Sequence, residues 1–227
     1  MHDRSHITPI IEEYLETMLH MASEGKTIIA ARLAERFEVS PPTVTATLRR
    51  MVRDGLITSN NRKEVKLTKP GLKAANNIVR RHRLAERLLT DVLKIPWHEA
   101  HEEACFMEHG ISDRVMESLY QALGKPATCP HGNPIPMADT LLPVKGAPLD
   151  TIPAGTTVVV ERISEDGTNL PELLEYLEQG SIKPGVVLSV EEVATYAGTM
   201  KVRQDNQEFS LGTKAAAAVW VTPLAKP

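Results

Sequence analysis

The chain has 227 residues, 42% hydrophobic and 24% charged, with a formal net charge of -3. That composition belongs to a folded globular protein and excludes disordered, collagen-like and disulfide-framed classes. No stretch is long and apolar enough to span a bilayer, and the opening "MHDRSHITPIIEEYLETML" breaks every apolar run with charge, unlike a signal peptide. A cytoplasmic protein with no membrane partner is expected, with Cys105 and Cys129 as reduced thiols. The charge is uneven. Lys26 to Arg83 holds 14 Lys/Arg against 4 Asp/Glu, and the remainder holds 12 against 25. A basic block on an acidic body points to a polyanionic partner; the plainer reading is a solvated helix face.

In chain order, residues 8–22 predict a helix, with Ile11, Tyr14, Leu15, Met18 and Leu19 on one stripe, Thr8 as cap and Pro9 in the first turn. Residues 27–37 predict a second helix, followed by the turn "EVS". "PPTVTATLRRMVRDG" predicts a third, with Ser40 as N-cap, Pro41 at its first position and Gly55 as its stop. Val44, Leu48 and Met51 face the core, while Thr43, Thr45, Thr47, Arg50 and Arg53 face out. "LITSNNRKEVKLT" alternates about Asn60-Asn61 and predicts a hairpin.

Helix, helix, turn, helix, hairpin is the order of a winged helix-turn-helix, whose recognition helix enters a major groove. Ser40, Pro42, Thr43, Thr45, Arg50 and Arg53 on that helix, and Lys63 on the wing, are the candidate DNA contacts. Arg62 and Lys66 add wing cations. The bland alternative is a structural three-helix unit with a basic surface.

Residues 72–93 predict a long helix, and two more follow near 98–109 and 112–123. Phe106, Met107, Ile111, Val115, Met116 and Leu119 suit the core of a helical homodimer. "GKPATCPHGNPIPMADTLLPVKGAPLD", with six prolines, reads as a linker. From Thr156 the texture is strand-like: "TTVVVERIS", "GVVLSVEEV", "TMKVRQ", "EFSLG" and "AAVWVT", with a short helix "PELLEYLEQG" between. A small five-stranded barrel is expected. The expected domains are 1–73 (winged helix), 74–140 (helical metal-binding and dimerisation), a linker 141–150, and 151–227 (β). The fold class is thus mainly α with a small β domain.

The chemistry concentrates in "HEEACFMEH", residues 101–109. On a helix His101, Cys105, Glu108 and His109 share one face, and Glu102 and Glu103 point to solvent. His82 and Glu86 stand one turn apart on the preceding helix, Glu13 and Glu16 pair on the first, and "TCPHGNP" adds Cys129 and His131. A buried face of thiol, carboxylate and imidazole needs partners, and a first-row divalent ion such as Mn²⁺, Fe²⁺ or Co²⁺ supplies them. The stretch falls short of the zinc-protease HExxH, because Cys105 stands where the second imidazole belongs. An enzyme, specifically a zinc hydrolase, is therefore rejected.

"SPPTVTATLRRMVRDGL", "RRHRLAERLLTD", "HEEACFMEH" and "CPHGNPIP" together resemble the diphtheria toxin repressor family of metal-dependent bacterial transcription regulators. The resemblance spans the chain and extends to an SH3-like β domain. It implies a homodimeric repressor that binds palindromic operator DNA when metal ties the first helix to the dimerisation helices. It assigns Cys105, Glu108 and His109, with a first-helix residue, to a primary regulatory site. His82, Glu86 and His101 fall to an ancillary site, with Glu172 lent by the β domain and Cys129 and His131 contributing as in some manganese-responsive relatives. Iron-type members carry methionine at the position of Glu13; manganese-type members carry carboxylates at Glu13 and Glu16 and often one at Cys105. This chain mixes the patterns. Glu13, Glu16 and Glu108 outnumber Cys105, so Mn²⁺ is the expected activator, with Fe²⁺ the alternative.

Overall fold

The computed structural model describes residues 7–137, 139–141 and 144–224. The chain divides into two compact units, Met1–His82 with Pro136–Pro143, and Arg83–Ile135 with Val144–Pro227.

The first unit opens with α1 (Pro9–Ser23). Pro9 fits its first turn, but the Thr8 hydroxyl makes no cap bond; the Thr8 carbonyl instead accepts from the Ile11 and Glu12 amides. α2 (Ala30–Arg36) starts later than its sequence pattern implies. The Val65 amide donates to Ile28 O at 2.9 Å and Ile29 bridges Glu64, so the β-branched residues before the helix pair with the wing. α3 (Pro41–Arg53) is capped as expected, the Ser40 hydroxyl accepting from the Thr43 amide at 3.4 Å.

The wing is β1 (Ile57–Ser59) paired antiparallel with β2 (Val65–Leu67), Ile57 opposite Leu67. Asn60 shapes its tip by accepting from the Arg62 and Glu64 amides. The core gathers Leu15, Met18, Leu33, Val44, Met51 and Ile57. Each such side chain contributes about 1.5–3 kcal/mol by leaving water. α4 (Lys69–Arg87) begins against this core. Gly71 is required there, because a Cβ would run into the Leu56 carbonyl.

In the second unit the end of α4 passes into one π-helical turn, Leu88–Val92, then α5 (Ala100–Glu108) and α6 (Asp113–Ala122). Leu84, Leu89, Ala100, Ala104, Ile111 and Met116 form its helical core. Phe106 and Val115 stay exposed, an apolar surface that suits the expected dimer.

The β part contains β3 (Ala147–Pro148), β4 (Thr157–Ile163), α7 (Glu165–Thr168), α8 (Pro171–Gln179), β5 (Val187–Ala194), β6 (Thr199–Gln204), β7 (Gln207–Gly212), α9 (Thr213–Ala218) and β8 (Val219–Pro223). The sheet runs β3-β8-β4-β5-β6-β7, antiparallel throughout, with register shifts at Val160/Arg162 and Val190/Glu192 that bend it. α9 packs on both β3 and β7, the two ends of the sheet. The five long strands match the expected five. β3 is additional and falls within the stretch read as linker: Ala147 and Pro148 pair with Val221 and Trp220, and proline is tolerated because the strand is an edge.

The proline-rich segment is structured further upstream as well. Thr128 bridges Pro134, the Cys129 amide donates to Asn133 O at 2.8 Å, and the Gly132 amide donates to Cys129 O at 3.0 Å. This hairpin-like turn lies on β4. The Ile163 amide donates to His131 O at 2.8 Å, and Asn133 donates to Ile163 O at 2.9 Å. Gly132, at φ 85°, approaches the Glu161 carbonyl so closely that no other residue fits. Arg83 fastens the same turn, donating to Pro134 O and pairing with the buried Glu165 at 2.6 Å.

Candidate metal centre and DNA-facing surface

Glu86 from α4 and Cys129 and His131 from the turn bring one donor atom each within 4.8 Å of one another, and all three are buried. Arg87, one residue beyond Glu86, donates to Thr128 O at 2.8 Å and so ties the turn to the helix. His131 Nδ1 lies 3.1 Å from Glu86 Oε1, and His101 Nδ1 lies 3.2 Å from the same oxygen. His131 Nε2 sits 3.2 Å from the Trp97 carbonyl, and the two rings lie tilted at 40° with centroids 4.7 Å apart.

A carbonyl only accepts, so Nε2 carries the hydrogen of His131. The Nδ1 lone pair then faces a carboxylate oxygen, an arrangement that holds only with a proton or a cation between them. An imidazole whose far N–H rests on a backbone carbonyl is the form in which histidine ligates a metal. Burial, and next the Glu86 carboxylate, push the Cys129 thiol well above its ordinary range, with Arg83 opposing. The group is thus one carboxylate, one imidazole and one thiol that must lose a proton to bind. The residues fit a first-row divalent ion.

The other expected ligands are placed unit by unit. In the first, Glu16 is buried on α1 with His20 Nε2 3.8 Å from its carboxylate, a neighbour the sequence reading missed although the i, i+4 spacing was visible. Glu13 is half-buried on α1, and His82 is buried on α4. In the second, Glu108 is completely buried with His109 Nε2 at 3.5 Å, Cys105 is half-buried, and Glu102 and Glu103 are exposed as the helical spacing requires.

Glu172 is different. It lies exposed in the first turn of α8 and belongs to no group of three or more close donors among the described residues. The acidic residue that the β part turns inward is Glu165, which pairs with Arg83, and α8 reaches the helical part through Glu178, 2.6 Å from His98 Nδ1. Neither contact has a local sequence signature, because each joins residues about 80 positions apart.

On the recognition helix Ser40, Pro42, Thr43, Arg50 and Arg53 are exposed, and Lys63 is exposed on the wing at φ 60°. Thr45 differs from expectation. It is half-buried and its hydroxyl donates to Pro41 O at 2.8 Å; Thr47 donates likewise to Thr43 O at 3.2 Å, and the Ser40 and Thr43 hydroxyls bond each other at 2.8 Å. A helix interior offers these hydroxyls a backbone carbonyl one turn back. The Thr45 and Thr47 hydroxyls are therefore engaged by the helix's own backbone. Ala46 and Arg49, not anticipated as contacts, share the exposed face. Asp54 lies 3.7 Å from Arg50 and 3.0 Å from Arg53, holding both at the helix end.

Three family models tile the chain: "Iron dependent repressor, N-terminal DNA binding domain" over residues 6–65, "Iron dependent repressor, metal binding and dimerisation domain" over 68–137, and "FeoA domain" over 147–223. The iron-dependent repressor IdeR of Mycobacterium tuberculosis (strain ATCC 25618 / H37Rv) is 40% identical over 190 residues, 79% of this chain and 83% of the relative. The diphtheria toxin repressor of Corynebacterium diphtheriae is 44% identical over 130 residues, 57% of this chain and 58% of the relative. Among solved structures, a manganese-dependent transcriptional repressor in complex with manganese superposes with a TM-score of 0.84 at 34% identity, covering 94% of this chain and 99% of the other. The manganese regulator SloR does so at 0.79 and 28%, covering 96% and 100%. The chain belongs to the iron-dependent repressor and diphtheria toxin repressor family of metal-dependent DNA-binding transcriptional repressors.

Proposed function

We propose that this chain is a manganese-responsive repressor, a cytoplasmic homodimer that binds palindromic operators and controls genes of manganese homeostasis. The observation that carries metal dependence is the buried face-to-face placement of His131 Nδ1 and Glu86 Oε1, beside a thiol whose pKa is raised by burial and next by the same carboxylate. Glu86, Cys129 and His131, with His101, hold one ion. Following the resemblance, Cys105, Glu108 and His109, with Glu13 and Glu16 of α1, hold the regulatory one. Ordering these side chains on an ion selects one arrangement of the recognition helices from those the metal-free protein samples. The carboxylates favour Mn²⁺ as the harder ion, supported by structural neighbours named for manganese.

A second reading makes Fe²⁺ the activator. Two thiols stand in the donor sets, and the relative from Mycobacterium tuberculosis is named for iron. The test is anaerobic. A DNA duplex selected from a random pool by the metal-loaded protein is titrated with Mn²⁺ and with Fe²⁺ at fixed salt. Retention at lower free Mn²⁺ than Fe²⁺ supports the proposal; the reverse order selects iron, and metal-independent retention rejects both.

A further inference from the structure

Four hydroxyls belong to the recognition helix and its cap, and three of their four hydrogens are engaged within it. Thr45 donates to Pro41 O at 2.8 Å, Thr47 donates to Thr43 O at 3.2 Å, and one of the Ser40 and Thr43 hydroxyls donates to the other at 2.8 Å. Donation from this helix to a base edge therefore falls to one hydroxyl and to Arg49, Arg50 and Arg53.

The three arginines are not equivalent. Asp54, the C-cap residue, lies 3.7 Å from Arg50 Nε and 3.0 Å from Arg53 Nε, so both heads are drawn to the C-terminal end of α3. Arg49 is exposed, and its guanidinium makes no hydrogen bond or ion pair among the described residues. A long helical side chain leans toward the N-terminus and covers the turn before its own Cα. The residue on that turn is Ala46, which is exposed and stands opposite the inward stripe of Val44, Leu48 and Met51. Its single methyl leaves room for a guanidinium in the middle of the outward face. In a docked recognition helix the N-terminal half meets the base edges. Arg49 thus has both the donors and the direction to reach them.

We propose that Arg49 sets operator specificity by donating two parallel hydrogen bonds to O6 and N7 of a guanine in each half-site, while Arg50 and Arg53, held by Asp54, contact the backbone. Guanine is the base whose major-groove edge presents two acceptors side by side, matching the guanidinium fork. The inference rests on α3 docking in the major groove and not on which metal activates the protein. The test uses the duplex selected by the parent protein from a random pool, with affinities measured at several salt concentrations, with and without MnCl₂. Each G·C pair of one half-site is replaced in turn by A·T, and separately its guanine by 7-deazaguanine, which keeps pairing and lacks the N7 acceptor. In the parent, one guanine responds to both changes, and the base-pair replacement weakens binding about tenfold. Arg49→Ala, which alters both half-sites, loses about a hundredfold on the unmodified duplex. It no longer responds to either change at that guanine and keeps the parent's salt slope. Arg50→Ala keeps the guanine response and flattens the salt slope. A parent indifferent to every guanine overturns the assignment. So does an Arg49→Ala protein that discriminates as the parent does, or one that weakens uniformly with a lowered salt slope. No effect of either Arg49→Ala or Arg50→Ala overturns the docking of α3, and this inference with it. The expected pattern appearing equally without MnCl₂ supports the base contact and rejects only metal activation.

Discussion

Replacing Glu86 with Gln tests the metal centre with two readouts that a merely structural carboxylate would not separate. The amide has the same shape and donates to His131 Nδ1, which faces the carboxylate oxygen at 3.1 Å in the parent. It removes a buried charge without leaving the imidazole unsatisfied, so metal-free stability stays within about 1 kcal/mol of the parent. The ion, by contrast, loses its only anionic oxygen in this group. A weakening of at least about a hundredfold is expected, larger than the effect of many outer-shell changes. At a metal concentration of about 100 Kd the parent gains about 2.7 kcal/mol, and a hundredfold weaker site gains about 0.4. For a chain of this size that reduces the metal-induced rise in Tm from about 5–10 °C to about 1 °C. Scanning calorimetry in EDTA and in MnCl₂ measures both numbers. A Glu86→Gln protein that keeps the full metal-induced rise removes Glu86 from the ligands. One whose metal-free Tm collapses shows a structural ion pair instead.

Metal affinity at this centre should rise roughly tenfold per pH unit below the thiol's raised range, because Cys129 must surrender its proton to bind, and Cys129→Ser should flatten that dependence in metal titrations. Arg50→Ala should weaken binding to all duplexes alike and reduce the slope of log affinity against log salt by about 0.9, the share of a single neutralised phosphate; an unchanged slope takes Arg50 off the backbone. Arg83→Met leaves Glu165 buried and uncompensated and should cost about 3–5 kcal/mol in denaturant melts, with Glu165→Gln restoring part of it. Glu108→Ala or His109→Ala should abolish metal-stimulated DNA binding in gel shifts while light scattering still reports the dimer mass; stimulation at the parent's metal concentration would remove that pair from the regulatory site.

The DNA-binding unit was legible because its signals are local. Ser40 and Pro41 start α3, the Val44, Leu48, Met51 stripe fixes its inner face, and Asn60 turns the wing. Ile28 and Ile29 carry helical periodicity, yet the wing recruits their backbone, a tertiary demand that no window of neighbouring residues contains. Thr45 was readable as exposed polar but not as self-satisfied, since the hydroxyl's choice between solvent and the carbonyl one turn back leaves no trace in spacing.

The proposed metal centre was legible as a set of candidate donors and illegible as a place. His101, Cys105, Glu108 and His109 announce a face through helical spacing alone, whereas the partners of Glu86 arrive from a stretch whose prolines read as linker. That stretch is instead a turn whose two sides do different jobs. The main chain of His131 and the Asn133 side chain pair with Ile163 of β4, and the side chains of Cys129 and His131 face Glu86. Gly132 makes the division possible by letting the backbone lie against Glu161 without a side chain between them. A proline-rich composition marks where ordinary ladders stop; it carries no information about which carbonyl a turn will find. The candidate donors could therefore be named from the sequence, while the convergence of Cys129 and His131 on Glu86 depended on strand β4, some 30 residues further along the chain.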